Sequence, residues 1–268
     1  MGRWFYLNGE FVEENQATLP LTQTGFQRAY GIFDLFRTEQ GKPRFLADYL
    51  DRFENSQKFL GLSRAISRKE VTEAVKTLQE KNGYEHSTFK LILMGDGLDD
   101  TSTHYDPFFG IINTRIHPEQ QPREISVITH EYLREYPEIK SLNYFTSYSL
   151  HRKRIAAEAQ EVVYHKNDQV SEASRCNIFA IKDGTLFTAD QGILHGITRL
   201  HVLKVARQIM PVQMGLSLDT FLHADELFAT STMKDVMPIA AVDQSAIAGE
   251  RILTRKLQQA FREYVNDL

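Results

Sequence analysis

Two periodicities of apolar residues run along this chain and change places at turn-forming dipeptides. The opening "RWFYLNGEFVEE" reads as two short strands about Asn8-Gly9, a dipeptide that accepts positive φ in a tight hairpin. A second turn, Gln40-Gly41-Lys42-Pro43, separates the apolar segment Gly31–Phe36 from Phe45. The period then lengthens: Leu46, Tyr49, Leu50, Phe53 and Leu60 recur at helical spacing, with Gly61 as a stop. Ser67, with Glu70 three residues on, predicts a capped helix whose Val71, Ala74, Val75 and Leu78 share one face. "STFKLILMGDG" and "PFFGIINTRI" return to strand character.

The polar stretch "NTRIHPEQQPRE" contains two prolines and is the best interdomain linker. We therefore expect an α+β protein of two units: a small N-terminal domain over 1–112, a linker over 113–122 and a larger C-terminal domain over 123–268. In the second unit "ISVITHEY", "EVVYH" and "RCNIFAIKDGTLFTA" read as strands, the last folded at Asp183-Gly184. Tyr144, Tyr148, Ile155 and Ala159 are spaced for one helical face. "ITRLHVLKVARQIM" predicts a helix capped by Thr198, and "DELFATST" a strand entering a polar loop. "ILTRKLQQAFREYV" predicts a C-terminal helix with Ile252, Leu253, Leu257, Ala260, Phe261 and Val265 in register.

Composition narrows the chemistry only a little. The 31 basic and 35 acidic residues leave a net charge of −4 with no long run of either sign, which gives no reason to expect nucleic acid or an acidic membrane as partner. A single cysteine, Cys176, precludes an internal disulfide, and a reducing cytoplasmic setting is the simplest expectation. It is read as a buried structural thiol, because free cysteine behaves mainly as a small hydrophobe. No metal-type histidine pair, phosphate-cradling Gly-rich loop or Gly-x-Ser-x-Gly elbow is present, so no metal site is expected.

Four separated stretches remain: "IKSLNY" with Lys140, "SEASRCNIF" with Glu172, "GILHGITR" with Thr198, and "TSTMKDVMP" with Ser231 and Thr232. Each alone has an ordinary structural explanation as a solvated charge, an exposed turn or a helix start. Together their chemistries are complementary. A helix start with Gly and Thr offers backbone N–H groups and a Ser/Thr loop adds hydroxyls, which suits a phosphate. A lysine can form a Schiff base with a carbonyl cofactor, and a carboxylate can keep a pyridinium protonated. Those are the needs of pyridoxal 5'-phosphate.

The run "EASRCNIFAIKDGTLFTADQGILHGITR" resembles the core signature of the class IV (fold type IV) pyridoxal-phosphate aminotransferases, and the resemblance extends from "YLNGEFV" through "YGIFDLFRT" to "VDQSAIAGERILTRKL". It implies a two-domain enzyme with a small N-terminal α/β domain and a larger C-terminal mixed α/β domain with a β-barrel-like core. It implies a catalytic Lys140 that forms the Schiff base, Glu172 at the pyridine nitrogen and Tyr144 at the ring's phenolate oxygen. Gly196, Ile197, Thr198, Ser231 and Thr232 would take the phosphate, and Leu194 would pack on the ring. Arg52 matches the family's phosphate arginine, although helical periodicity alone puts it on the surface. Asn177 is read as structural. The segment "TADQGILHGITR" is shorter than its usual counterpart in the family, trimming the loop before the phosphate site.

Absence of a Gly-Gly pair between Lys140 and Tyr144, and the stretch "YGIFDLFRTEQGKP", resemble the D-amino-acid side of the family. The expected activity is therefore transfer of an amino group from a D-amino acid to a 2-oxo acid. The alternatives are 4-amino-4-deoxychorismate lyase, a branched-chain L-amino-acid aminotransferase, or a homologue that binds the cofactor without turnover. Arg28 and Arg175 are the candidates for the substrate carboxylate, since a guanidinium suits bidentate binding. The family builds its site at the interface of a homodimer, so a homodimer is expected.

Overall fold

The computed structural model of the chain describes residues 2–64, 66–95, 107–120 and 122–267. It divides into two compact units, one of Met1–Gln120 with Ile139–Tyr144, the other of Gln121–Glu138 with Phe145–Leu268.

In the first unit the elements run β1 (Trp4–Leu7), β2 (Glu10–Glu13), α1 (Thr24–Arg28), β3 (Gly31–Glu39), β4 (Lys42–Pro43), α2 (Leu46–Leu60), α3 (Arg68–Asn82), β5 (Ser87–Met94) and β6 (Phe108–Arg115). The six strands form one antiparallel sheet in the order β2-β1-β6-β5-β3-β4. Asn8 and Gly9 take φ of 49° and 102° at the first hairpin, and the Ser67 hydroxyl caps α3 by accepting from the Glu70 amide at 3.0 Å. Alternation along β3 and β5 sorts the sheet's two faces. Phe36, Phe89, Leu91 and Leu93 are fully buried, with Phe36 stacked on Phe89 at 5.4 Å and 6.1 Å from Tyr49 of α2. Burying each such side chain contributes about 1.5–3 kcal/mol relative to exposure. Phe33, Leu35 and Lys90 lie on the opposite, half-buried face. Strand β6 continues to Arg115, so the first three residues of the expected linker are paired strand rather than connection.

Residues Ile139–Tyr144 extend this sheet at its β3 edge. The Phe33 amide donates to the Lys140 carbonyl at 2.9 Å and the Leu142 amide to the Gly31 carbonyl at 3.0 Å, about an antiparallel bridge between Ile32 and Ser141. Gly31 is required there. A Cβ at that position would lie 2.6 Å from the Leu93 carbonyl oxygen and 2.8 Å from a Leu142 methyl.

The second unit runs β7 (Ile125–Glu131), α4 (Phe145–Ser149), α5 (His151–Ala156), β8 (Glu161–Lys166), β9 (Gln169–Ala173), β10 (Asn177–Lys182), β11 (Thr185–Thr188), α6 (Ile197–Ala206), β12 (Val212–Met214), α7 (Leu218–Leu222), β13 (Glu226–Ser231), β14 (Asp235–Val242), β15 (Ser245–Ala246) and α8 (Ile252–Asn266). Strands β10-β13-β14-β7-β8-β9 pair in that order, and β9 returns to β10 through the pair Glu172–Asn177, which closes a ring. The interior is filled by Ile125, Val127, Val163, Ile178, Ala180, Leu227 and Ile239, which form one buried cluster. On the outer face Phe179 stacks on Phe228 at 4.7 Å, and α6 and α8 pack against β13.

Two helix expectations are corrected. The stretch read as one helix through Tyr144, Tyr148 and Ile155 is two short helices, α4 and α5, and Tyr148 and Ile155 are 77% and 54% exposed. Apolar spacing reports which residues share a face, not whether anything covers it. On α8, Leu257 and Phe261 are buried as expected, whereas Ile252 is exposed at the first turn. Among the described residues no helix is long and apolar enough to cross a membrane.

Candidate active site

In the first unit the ring of Phe33 organises the predicted residues. The Lys140 ammonium sits 4.6 Å from its centroid, and the Tyr144 ring packs on it at 5.6 Å with a 59° tilt. Both come from the edge segment that β3 holds by backbone bonds, so their placement follows from sheet register. Lys90 of β5 places its own ammonium 4.7 Å from the same centroid.

Arg52 is not on the surface. Its side chain is 11% exposed, with Nε donating to Asp34 Oδ2 at 2.9 Å and Nη2 to Oδ1 at 2.6 Å, and its guanidinium lies 5.3 Å from the Tyr49 ring centroid. Burial alone would lower its pKa, but the Asp34 carboxylate holds it above its ordinary value. Periodicity misplaced Arg52 because it counts apolar side chains, while a buried carboxylate recruits a cation from outside the stripe. Arg28 ends α1 and is exposed.

In the second unit Glu172 lies at the seam of the ring. Its Oε1 accepts from Arg134 Nε at 2.8 Å and its Oε2 from the Leu194 amide at 2.9 Å. The Leu194 carbonyl accepts in turn from Asn177 Nδ2 at 2.8 Å, so this residue is fixed at both ends. Each carboxylate oxygen has two lone-pair sites, so Glu172 keeps capacity for a further donor. Arg134, which also donates to the Pro137 carbonyl, was not picked out from the sequence; "EYLREYPE" carries no spacing that marks it.

Thr198 is not the cap of α6. Gly196 occupies that position with φ −63° and ψ 134°, Ile197 opens the helix, and Thr198 is buried within its first turn. A capping residue of the Ser/Thr type takes extended backbone just outside the helix, as Gly196 does here, and Thr198 is already helical. With no side-chain cap, the first-turn N–H groups point out of the helix end unserved from within. A Cβ on Gly196 would collide with Asn177 Oδ1. Ser231 ends β13, and its carbonyl accepts from the Lys234 amide at 3.1 Å across a turn that holds Thr232. Just before them Thr230, paired across the sheet with Asn177, has a fully buried hydroxyl with no hydrogen-bond partner.

Arg175, half exposed, pairs with the fully buried Glu161 at 3.1 Å. The same carboxylate accepts from Lys234 at 2.9 Å and from the Ser174 hydroxyl at 2.5 Å. Burial would raise the pKa of Glu161, but Lys234 and Arg175 hold it below the ordinary carboxylate range. Cys176 is buried as expected, and burial pushes its thiol pKa up, away from reactivity. No group of residues suited to a metal ion occurs among the described residues.

A lysine on a sheet edge beside two aromatic rings, and a carboxylate beside an uncapped helix start on a closed ring of strands, define a fold with known counterparts. A T.th. branched-chain amino acid aminotransferase, complexed with N-(5'-phosphopyridoxyl)-L-glutamate, superposes with a TM-score of 0.89 over 99% of this chain and 95% of its own, at 23% identity. A D-alanine aminotransferase of Staphylococcus epidermidis is 29% identical over 97% of both chains. A putative branched-chain-amino-acid aminotransferase of Methanocaldococcus jannaschii is 29% identical over 96% of this chain and 95% of its own. The family model for amino-transferase class IV matches residues 31–242, and the chain belongs to that family. The expected family and two-domain fold are thus borne out.

Proposed function

We propose that this chain is a pyridoxal-5'-phosphate-dependent transaminase that moves an amino group from a D-amino acid to a 2-oxo acid. The observation that carries the reading is Lys140, fixed by backbone bonds on the β3 edge with its amine over Phe33 and Tyr144 packed alongside. The unpartnered Thr230 hydroxyl, the uncapped start of α6 and the bare Gly196 beside Asn177 together fit a phosphate, which accepts several donors and needs close backbone approach.

When bound, the cofactor supplies the electron sink that makes the amino acid's Cα–H acidic. Lys140 would hold it through its amine and would move the proton at Nζ as base and then acid. Glu172, braced by Arg134 and the Leu194 amide, would keep a proton on the pyridine nitrogen. Tyr144 would donate to the ring's phenolate oxygen, and Leu194 would pack against the ring. Ile197 and Thr198 would donate to the phosphate past Gly196, Ser231 and Thr232 would add hydroxyls, and Arg52, whose charge Asp34 already balances, would add a guanidinium contact. Arg28 or Arg175 takes the substrate carboxylate. Arg175 is the weaker of the two, because Glu161 already holds it. A cytoplasmic homodimer completes the reading.

The preference for D-amino acids follows the S. epidermidis relative and the stretch "KSLNY"; the M. jannaschii relative, named for branched-chain amino acids, supports a branched-chain aminotransferase as the second reading. Half-reactions with D-alanine, D-glutamate, L-leucine and aminodeoxychorismate separate them. Bleaching of the cofactor band at about 400–420 nm is expected with the D-amino acids. Reaction with L-leucine alone supports the second reading and overturns the first. Pyruvate released from aminodeoxychorismate alone identifies a lyase.

A further inference from the structure

Lys90 stands in the middle of β5, paired with Leu35 of β3 on one side and Ile112 of β6 on the other, on the half-buried face that carries Phe33. Its row across the sheet is therefore apolar, lysine, apolar. A lysine in such a row usually extends its stem along the neighbours and puts its ammonium in water. This one lays the ammonium against the Phe33 ring, on which the Lys140 ammonium also rests. No carboxylate among the described residues pairs with it; the nearest charged side chain on the same face of β3, Arg37, is occupied by Glu39 at 2.7 Å. Burial lowers its pKa with no counter-charge to offset that effect. A half-buried ammonium with no anion is costly, and an anionic ligand is what would relieve it.

Resting on the transaminase reading above, we infer that Lys90 is a substrate-binding residue that receives the distal carboxylate of a dicarboxylic amino acid or 2-oxo acid. The ligand class follows from the position. A substrate reacting at Lys140 keeps its Cα at that amine, and Lys90 reaches the same ring from the adjacent strand. A second carboxylate two or three bonds from Cα is the anion that spans from one lysine towards the other. The α-carboxylate is common to every substrate, so Lys90 acts on the choice between substrates with and without a second acid group.

The test uses the holoenzyme and compares 2-oxoglutarate with pyruvate as acceptors, and glutarate with butyrate as unreactive ligands bound in a spectral titration. Lys90→Met is expected to raise the 2-oxoglutarate-to-pyruvate KM ratio, and the glutarate-to-butyrate Kd ratio, on the order of ten- to a hundredfold, as loss of one charge-assisted bond dictates. Lys90→Arg should restore most of both ratios. Unchanged ratios in Lys90→Met overturn the inference, whether the individual constants move together or not at all. Should Lys90→Met not fold, Lys90→Gln takes its place, and a wild-type protein that binds glutarate no more tightly than butyrate is decisive against Lys90 by itself. A wild type that reacts with no amino acid overturns the transaminase reading instead, and the glutarate-to-butyrate ratio still reports on Lys90.

Discussion

Arg52 of α2 and Asp34 of β3 form a bidentate ion pair inside the first unit, at 2.6 and 2.9 Å, with the carboxylate fully buried. Asp34 follows directly on Phe33, so the pair ties α2 to the strand on which Lys140 is registered. Removing one partner leaves an uncompensated buried charge. Asp34→Ala should therefore lower unfolding stability by about 3–5 kcal/mol in urea titration, whereas replacing both by apolar residues of similar volume should cost far less. A loss below about 1 kcal/mol for the single variant, the range of exposed pairs, would show that the pair is solvated.

Gly196 and Asn177 make a second steric prediction. The amide oxygen of Asn177 occupies the place where a Cβ on residue 196 would go, and its nitrogen holds the Leu194 carbonyl. Gly196→Ala should cost about 1–3 kcal/mol by overpacking and should weaken cofactor binding, read by equilibrium dialysis. Adding Asn177→Ala should recover part of the stability. If Gly196→Ala binds the cofactor as the wild type does, close approach at this helix start is not needed.

Glu161 sets an acid limit. Its pKa lies below the ordinary carboxylate range, because Lys234 and Arg175 outweigh the opposing effect of burial. A group with a depressed folded pKa stabilises fully above its unfolded value, about 4.3 for glutamate, and loses that contribution as pH falls through the folded value. Thermal unfolding of wild type and Glu161→Gln should differ most near neutral pH and converge below about pH 4. A difference that stays constant across that range would contradict the ion-pair account.

Much of the first unit was legible because its signals are local. Asn8-Gly9, the Ser67 cap and the Gly61 stop act within a few residues, and the buried positions of α2 and α3 follow one period. The closure of the ring was not legible residue by residue, since it rests on one register pair, Glu172 with Asn177, that no local pattern encodes. Arg134 and the burial of Arg52 escaped for a related reason: ion pairs across tertiary contacts leave no spacing in the chain. Lys90 sits inside a strand read only for its apolar neighbours. Thr198 was misread as a cap because Thr before an apolar run is the commoner signal, while here the preceding Gly196 takes the extended conformation.

Borohydride reduction of the purified holoenzyme followed by peptide mass mapping reads out covalent attachment of the cofactor at Lys140. A phosphopyridoxyl mass is expected on the peptide carrying Lys140 and is expected to be absent from Lys140→Ala, which should also lose turnover. The label on another lysine, on Lys90 for instance, or no label on a protein that carries the cofactor, would contradict attachment at Lys140.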